Sequence, residues 1–128
     1  MKLPNSLAAL EWVRVNESRS DRLVLNIADT PAWCACYPQA ICVAMDTGLI
    51  ISEIDWLQRV CLWFAAVRDC INDCLILEAN RLMLVRRHKD PQTTVQWEAA
   101  LNQQLAVCDW LNRYGAAEMN TNPAEGWR

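Results

Sequence analysis

The chain has 128 residues, 53% hydrophobic and 21% charged, with a net charge of -3 and a pI near 5.1. This composition excludes wholesale disorder and a fibrous repeat, and the length suits one domain that buries about two-thirds of its unfolded surface. An acidic chain with scattered basic residues gives no footprint for nucleic acid phosphates, and no apolar run reaches the ~20 residues that span a bilayer, so neither nucleic acid binding nor membrane insertion is expected. The apolar stretch Leu7 to Trp12 is too short and too interrupted for a secretory signal, so export by that route is not expected either.

In chain order, residues 5–15 read as a first helix capped by Asn5 or Ser6, with Leu7 and Leu10 on its apolar side. The run Trp12-Val13-Arg14-Val15 is compatible with the start of a strand as well. After the polar cluster at 16–21, Arg22 to Ala28 alternates as a strand with Leu23, Leu25 and Ile27 on one face. Asp29-Thr30-Pro31 supplies turn chemistry, and strands follow over 32–37 and 40–45, the latter ending before Asp46-Thr47-Gly48. These three strands make an antiparallel meander.

Ser52 caps a second helix that runs to about Asn72, with acidic residues in its first turn. Ile54, Leu57, Cys61 and Phe64 form one apolar row on it, and Trp56, Val60, Trp63 and Val67 form a second row alongside. Together they exceed the ~100° stripe that a surface helix buries against its own core, so this helix asks for two partners. The row holding Trp56 and Trp63 is the candidate interface, weighed against a sheet that buries both rows.

Residues 74–87 read as a β-hairpin about Ala79-Asn80-Arg81. A last helix takes Asp90 as cap and Pro91 at its first position, keeps helical spacing through Trp97, Leu101, Leu105, Cys108 and Leu111, and stops at Gly115. The domain therefore spans 1–115, with a loose tail over 116–128. The order α-βββ-α-ββ-α places the chain in the α+β class, an antiparallel sheet with helices packed on it.

Little in the chain points to chemistry. The one histidine, His88, follows two arginines and reads as a solvated surface group. The basic run Arg86 to Lys89 reads as a solvated strand edge, and the pairs Glu53/Asp55 and Asp69/Asp73 as helix ends facing water. Three glycines leave no phosphate-cradling loop and no nucleophile elbow. Seven cysteines, an odd number in a chain of this size, fit reduced and mostly buried thiols; a zinc site would need Cys34-x-Cys36 and Cys70-x-x-x-Cys74 to converge. The expectation is a protein that binds another polypeptide, with no catalytic residue, metal or cofactor.

Residues 74–85, Cys-Leu-Ile-Leu-Glu-Ala-Asn-Arg-Leu-Met-Leu-Val, followed by Ala99 to Ala106, resemble the YscB-like gatekeeper co-chaperones within the class I type III secretion chaperones. Leu23 to Met45 resembles their strand meander more loosely, and the likeness runs from about Leu7 to Leu111. The resemblance implies a bacterial cytoplasmic chaperone that holds the amino-terminal region of a secreted effector or gatekeeper protein in an extended form. It implies a dimer through Trp56, Val60, Trp63, Val67, Leu75 and Leu77, either a homodimer or a heterodimer with a second small chaperone. By position it implies a client surface of Leu7, Leu10, Leu23, Leu25, Ile27, Leu82 and Leu84. The alternative is a structural or scaffold subunit of a larger assembly.

Overall fold

The computed structural model describes residues 2–51, 54–66 and 72–120, with the side chains of 63, 64 and 116–120 left aside. The elements are α1 (Asn5–Ala8), β1 (Val13–Ser18), β2 (Leu23–Ile27), β3 (Thr30–Tyr37), β4 (Ala40–Ile50), α2 (Ile54–Ala66), β5 (Asp73–Glu78), β6 (Arg81–Lys89) and α3 (Thr94–Asn120). All six strands join one antiparallel sheet in the order β1-β2-β3-β4-β6-β5, which places the chain in the α+β class. Among the described residues, no helix is long and apolar enough to cross a membrane.

The sheet has one strand more than the sequence suggests. The first helix closes after a single turn, and Val13–Ser18 pairs with β2 as an edge strand. β-branched Val13 and Val15 favour that extended backbone, and burying Val13 beside Ile27 rewards it. Two hairpins turn through residues with positive φ, Ala28-Asp29 and Ala79-Asn80, the twist that two-residue hairpins require. The second is the Asn-centred turn legible in the sequence.

Three other boundaries move. Asp46-Thr47-Gly48 does not end β4; the strand continues to Ile50 through a register shift, with Gly48 at φ 82° and its N–H donating to Asp46 Oδ1 at 2.8 Å. The last helix starts at Thr94, beyond a cis Asp90–Pro91 bond, not at Pro91. Its cap is reciprocal: Gln96 N–H donates to Thr93 Oγ1 at 3.2 Å and Thr93 N–H donates to Gln96 Oε1 at 2.9 Å. Gly115 does not stop α3, which continues to Asn120. A β-carbon at 115 would stand 2.7 Å from Trp56 Cζ2 and would also collide with Leu49 Cδ1, so this glycine lets α2 approach α3.

One buried cluster ties the layers together. Leu7 of α1, Trp56 and Val60 of α2, and Trp97, Leu101 and Leu111 of α3 meet Leu23, Leu25, Ile27, Ile41, Val43, Met45, Leu82 and Leu84 of the sheet. All of these strand residues lie on one face, so the helices gather on that face. Gln104, fully buried on α3, fastens the helix to the sheet by donating to the carbonyls of Val43 (2.8 Å) and Leu84 (3.3 Å).

Candidate protein-binding surface

The other face of the sheet carries its own apolar residues. Cross-strand register sets Val24 opposite Trp33, Trp33 opposite Ala44, Ala44 opposite Val85, and Val85 opposite Cys74. This stripe crosses five strands, about 19 Å at the usual strand spacing. Ala35, Cys42, Met83 and Ile76 widen it, by the alternation that puts every second residue on the same face. None of these side chains belongs to the buried cluster under the helices. Trp33, Val24, Val85 and Ile76 are half-buried, Cys74 is exposed, and Ala44 is fully buried at the centre. A contiguous apolar face of this kind is a candidate interaction surface.

Trp33 lies along this face. Its Nε1 donates to Glu78 Oε1 at 2.9 Å, and the Arg22 guanidinium sits 4.1 Å over its ring and 3.3 Å from the same carboxylate oxygen. Arg22 precedes β2 and Glu78 ends β5, four strand steps away, farther than these side chains reach over a flat sheet. The twisted sheet therefore coils toward this face along that diagonal. Beyond β5 no further strand pairs among the described residues, so the stripe ends at an open edge. The opposite edge, β1, is polar and broken by a register shift between Val15 and Glu17, features that discourage strand addition.

The residues expected at a client surface lie elsewhere. Leu7, Leu10, Leu23, Leu25, Ile27, Leu82 and Leu84 are all buried in the core, because the face that alternation picked out is the one the helices cover. On α2 the apolar rows do not divide as expected, and Leu57 of the first row packs against the core beside the second row. Trp56 and Val60 are buried against the chain's own core, while Ile54 and Leu62 are 69% and 72% exposed, with Cys61 exposed between them. Leu75 is half-buried against the core and Leu77 is 43% exposed. The side chain of Trp63, and Val67 as a whole, lie outside the described residues. Trp33 stands on the helix-free face, Trp110 is 39% exposed and Trp97 is fully buried.

The polar groups also differ from expectation. β5 pairs β6 no further than Arg86, so among the described residues Arg87 to Lys89 have strand partners only in β4 and do border an edge; Arg86 and His88 turn under α3 and are buried, while Arg87 and Lys89 turn outward. Asp73 does not face water at a helix end. It opens β5, and its buried carboxylate receives Arg86 Nε at 2.5 Å and Nη2 at 2.7 Å. His88 Nε2 lies 2.7 Å from Gln104 Oε1; since Gln104 Nε2 is committed to two carbonyls, the histidine is the donor. Burial holds the His88 pKa below the usual 6.5, the Gln104 bond opposes this, and the charge on Arg86 reinforces it.

Burial pushes the Cys34 and Cys108 thiols up to about 12, and raises Cys36 and Cys74 as well, which keeps these thiols protonated and poor as nucleophiles or ligands. Among the described residues, no group of three or more His, Cys, Asp or Glu side chains could hold a metal ion. No family model matches the chain, and no curated protein matches it significantly.

The stripe has a signal in the sequence. Leu23-Val24-Leu25, Cys74 to Leu77 and Leu82 to Val85 are unbroken apolar runs, and an unbroken run makes both faces of a strand apolar.

Proposed function

We propose that the chain is a non-catalytic polypeptide-binding chaperone of the class I type III secretion kind, which holds an extended segment of a secreted protein against the helix-free face of its sheet. The single observation that carries the binding part is the register-matched stripe Val24-Trp33-Ala44-Val85-Cys74, apolar, free of helices and ending at the open β5 edge. Such an edge accepts an added strand through main-chain hydrogen bonds, while apolar pockets beside it take side chains. The secretion context comes from the resemblance of residues 74–85 and 99–106 to the YscB-like co-chaperones.

In this reading the chain pairs with a second small chaperone, its own copy or a different one, through the outward row of α2. Ile54, Cys61 and Leu62 take the part first given to Trp56 and Val60, and exposed Leu77 extends that surface.

Co-expression with the amino-terminal segments of candidate secreted proteins, followed by size-exclusion chromatography, tests the proposal. It expects a stoichiometric complex that Val85→Asp abolishes while the fold persists by circular dichroism. Failure to recover any complex, or a complex indifferent to Val85→Asp, contradicts it.

A further inference from the structure

The basic run at 86–89 is split by strand alternation, and only its inner half is explained by the fold. Arg86 is matched by Asp73 and Gln103, and His88 by Gln104. Arg87 is exposed on the helix-free face, two residues along β6 from Val85 and in register with Cys42, so it borders the apolar stripe. Of the other arginines on that face, Arg22 meets Glu78 at 3.3 Å and Arg81 meets Asp46 at 2.6 Å, while exposed Arg14 lies opposite Asn26 on edge strand β1, four strand steps from β6. Among the described residues, Arg87 makes no ion pair, and neither does exposed Lys89 beyond it. Tyr37, 58% exposed on the neighbouring part of the face, adds an aromatic rim.

We infer that the segment held on this face is apolar with an acidic residue at its border, and that Arg87 pairs with that carboxylate. The inference rests on the proposed polypeptide binding and adds the chemistry of the partner. An apolar stripe alone would accept any greasy segment; an uncommitted guanidinium at its margin, with unpaired Lys89 beside it on the same face, selects for a carboxylate and fixes the direction in which the segment lies. A carboxylate placed beside Arg87 gains a two-pronged partner without disturbing the pairs at Arg22 and Arg81.

The test uses two fluorescent synthetic peptides of about ten residues, longer than the roughly six extended residues that cover the stripe. Both carry the same Val/Leu/Thr run, one followed by Asp-Asp and the other by Lys-Lys, and binding to the full chain is read by anisotropy. The acidic peptide is expected to bind roughly tenfold tighter, and Arg87→Glu is expected to reverse the preference. A urea midpoint for Arg87→Glu equal to that of the parent shows that the exposed substitution leaves the fold intact. Equal affinities for both peptides, unchanged in Arg87→Glu, overturn the role of Arg87 while leaving polypeptide binding in place. If neither peptide binds, the proposed function and this inference fail together. If peptide addition instead competes with self-association measured by light scattering, with no charge preference, the face belongs to a second copy and the inference is overturned.

Discussion

The Trp33 indole donates to the Glu78 carboxylate at 2.9 Å across two intervening strands, β4 and β6. A hydrogen bond between strands that are not neighbours is possible only because the sheet coils toward this face. The same curvature shapes the rest of the apolar stripe. Glu78→Ala is expected to free the indole: its emission shifts to longer wavelength, Arg22 keeps Asp21 but loses Glu78, and the half-exposed cluster costs about 1 kcal/mol or less in urea unfolding. Since the chain has seven tryptophans, the shift is read as a difference from Trp33→Phe and from the double variant.

Asp73 and Arg86 form a buried, two-pronged ion pair below α3. Asp73→Ala removes a two-pronged charged partner from a buried guanidinium, and is expected to cost about 3–5 kcal/mol by chemical denaturation. Asp73→Leu with Arg86→Met should recover much of that loss, because apolar side chains of similar size replace both members of the pair together.

The fold lowers the pKa of His88, so the unfolded chain takes up a proton on acidification before the folded chain does. Stability therefore stays level above about pH 6.5, falls as pH drops below the unfolded value, and levels again once pH is below the folded value. Urea midpoints over this range check the slope. His88→Gln is expected to flatten the histidine contribution, and an unchanged profile would remove His88 as its source.

Gly115 was legible as a helix stop and is instead a notch in the middle of α3's packing against α2. Gly115→Ala gains helix propensity of up to about 1 kcal/mol, but the added methyl meets a Trp56 ring held in the core. Overpacking at such a site costs about 1–3 kcal/mol, so a net loss of stability is expected, with partial rescue by Trp56→Phe.

The outward row of α2 separates folding from association. Leu62→Glu is expected to leave the urea midpoint near that of the parent, since Leu62 is solvent-facing, and to lower the mass seen by light scattering if α2 forms the proposed dimer. Trp56→Ala is expected to cost about 3–5 kcal/mol because Trp56 is core.

Much of the architecture was legible because its local signals agreed: alternation in β2, the Asn80 turn, and helical spacing from Trp97 to Leu111 all match the structure. The site was less legible. Alternation in Leu23, Leu25 and Ile27 marks a common face but not which face the helices take, so core residues were assigned to a client. The sequence makes both rows of α2 equally apolar and does not show that Trp56 is core; Gly115 leaves the room in which Trp56 docks. Asp73 and Arg86 are thirteen residues apart, and only strand pairing brings them together. Thr93-x-x-Gln96 was present as a capping signal, but Asp90-Pro91 offers a competing helix start just before it.

Amide hydrogen exchange on the full chain, with and without the amino-terminal segment of a secreted protein that co-purifies with it, tests the central claim most directly. The account predicts added protection along β5, whose outer edge would receive a strand, and across the centres of β4 and β6 under Ala44 and Val85, with α1 and β1 unchanged. Protection confined to α1 and β1, or none anywhere on the sheet, would contradict it.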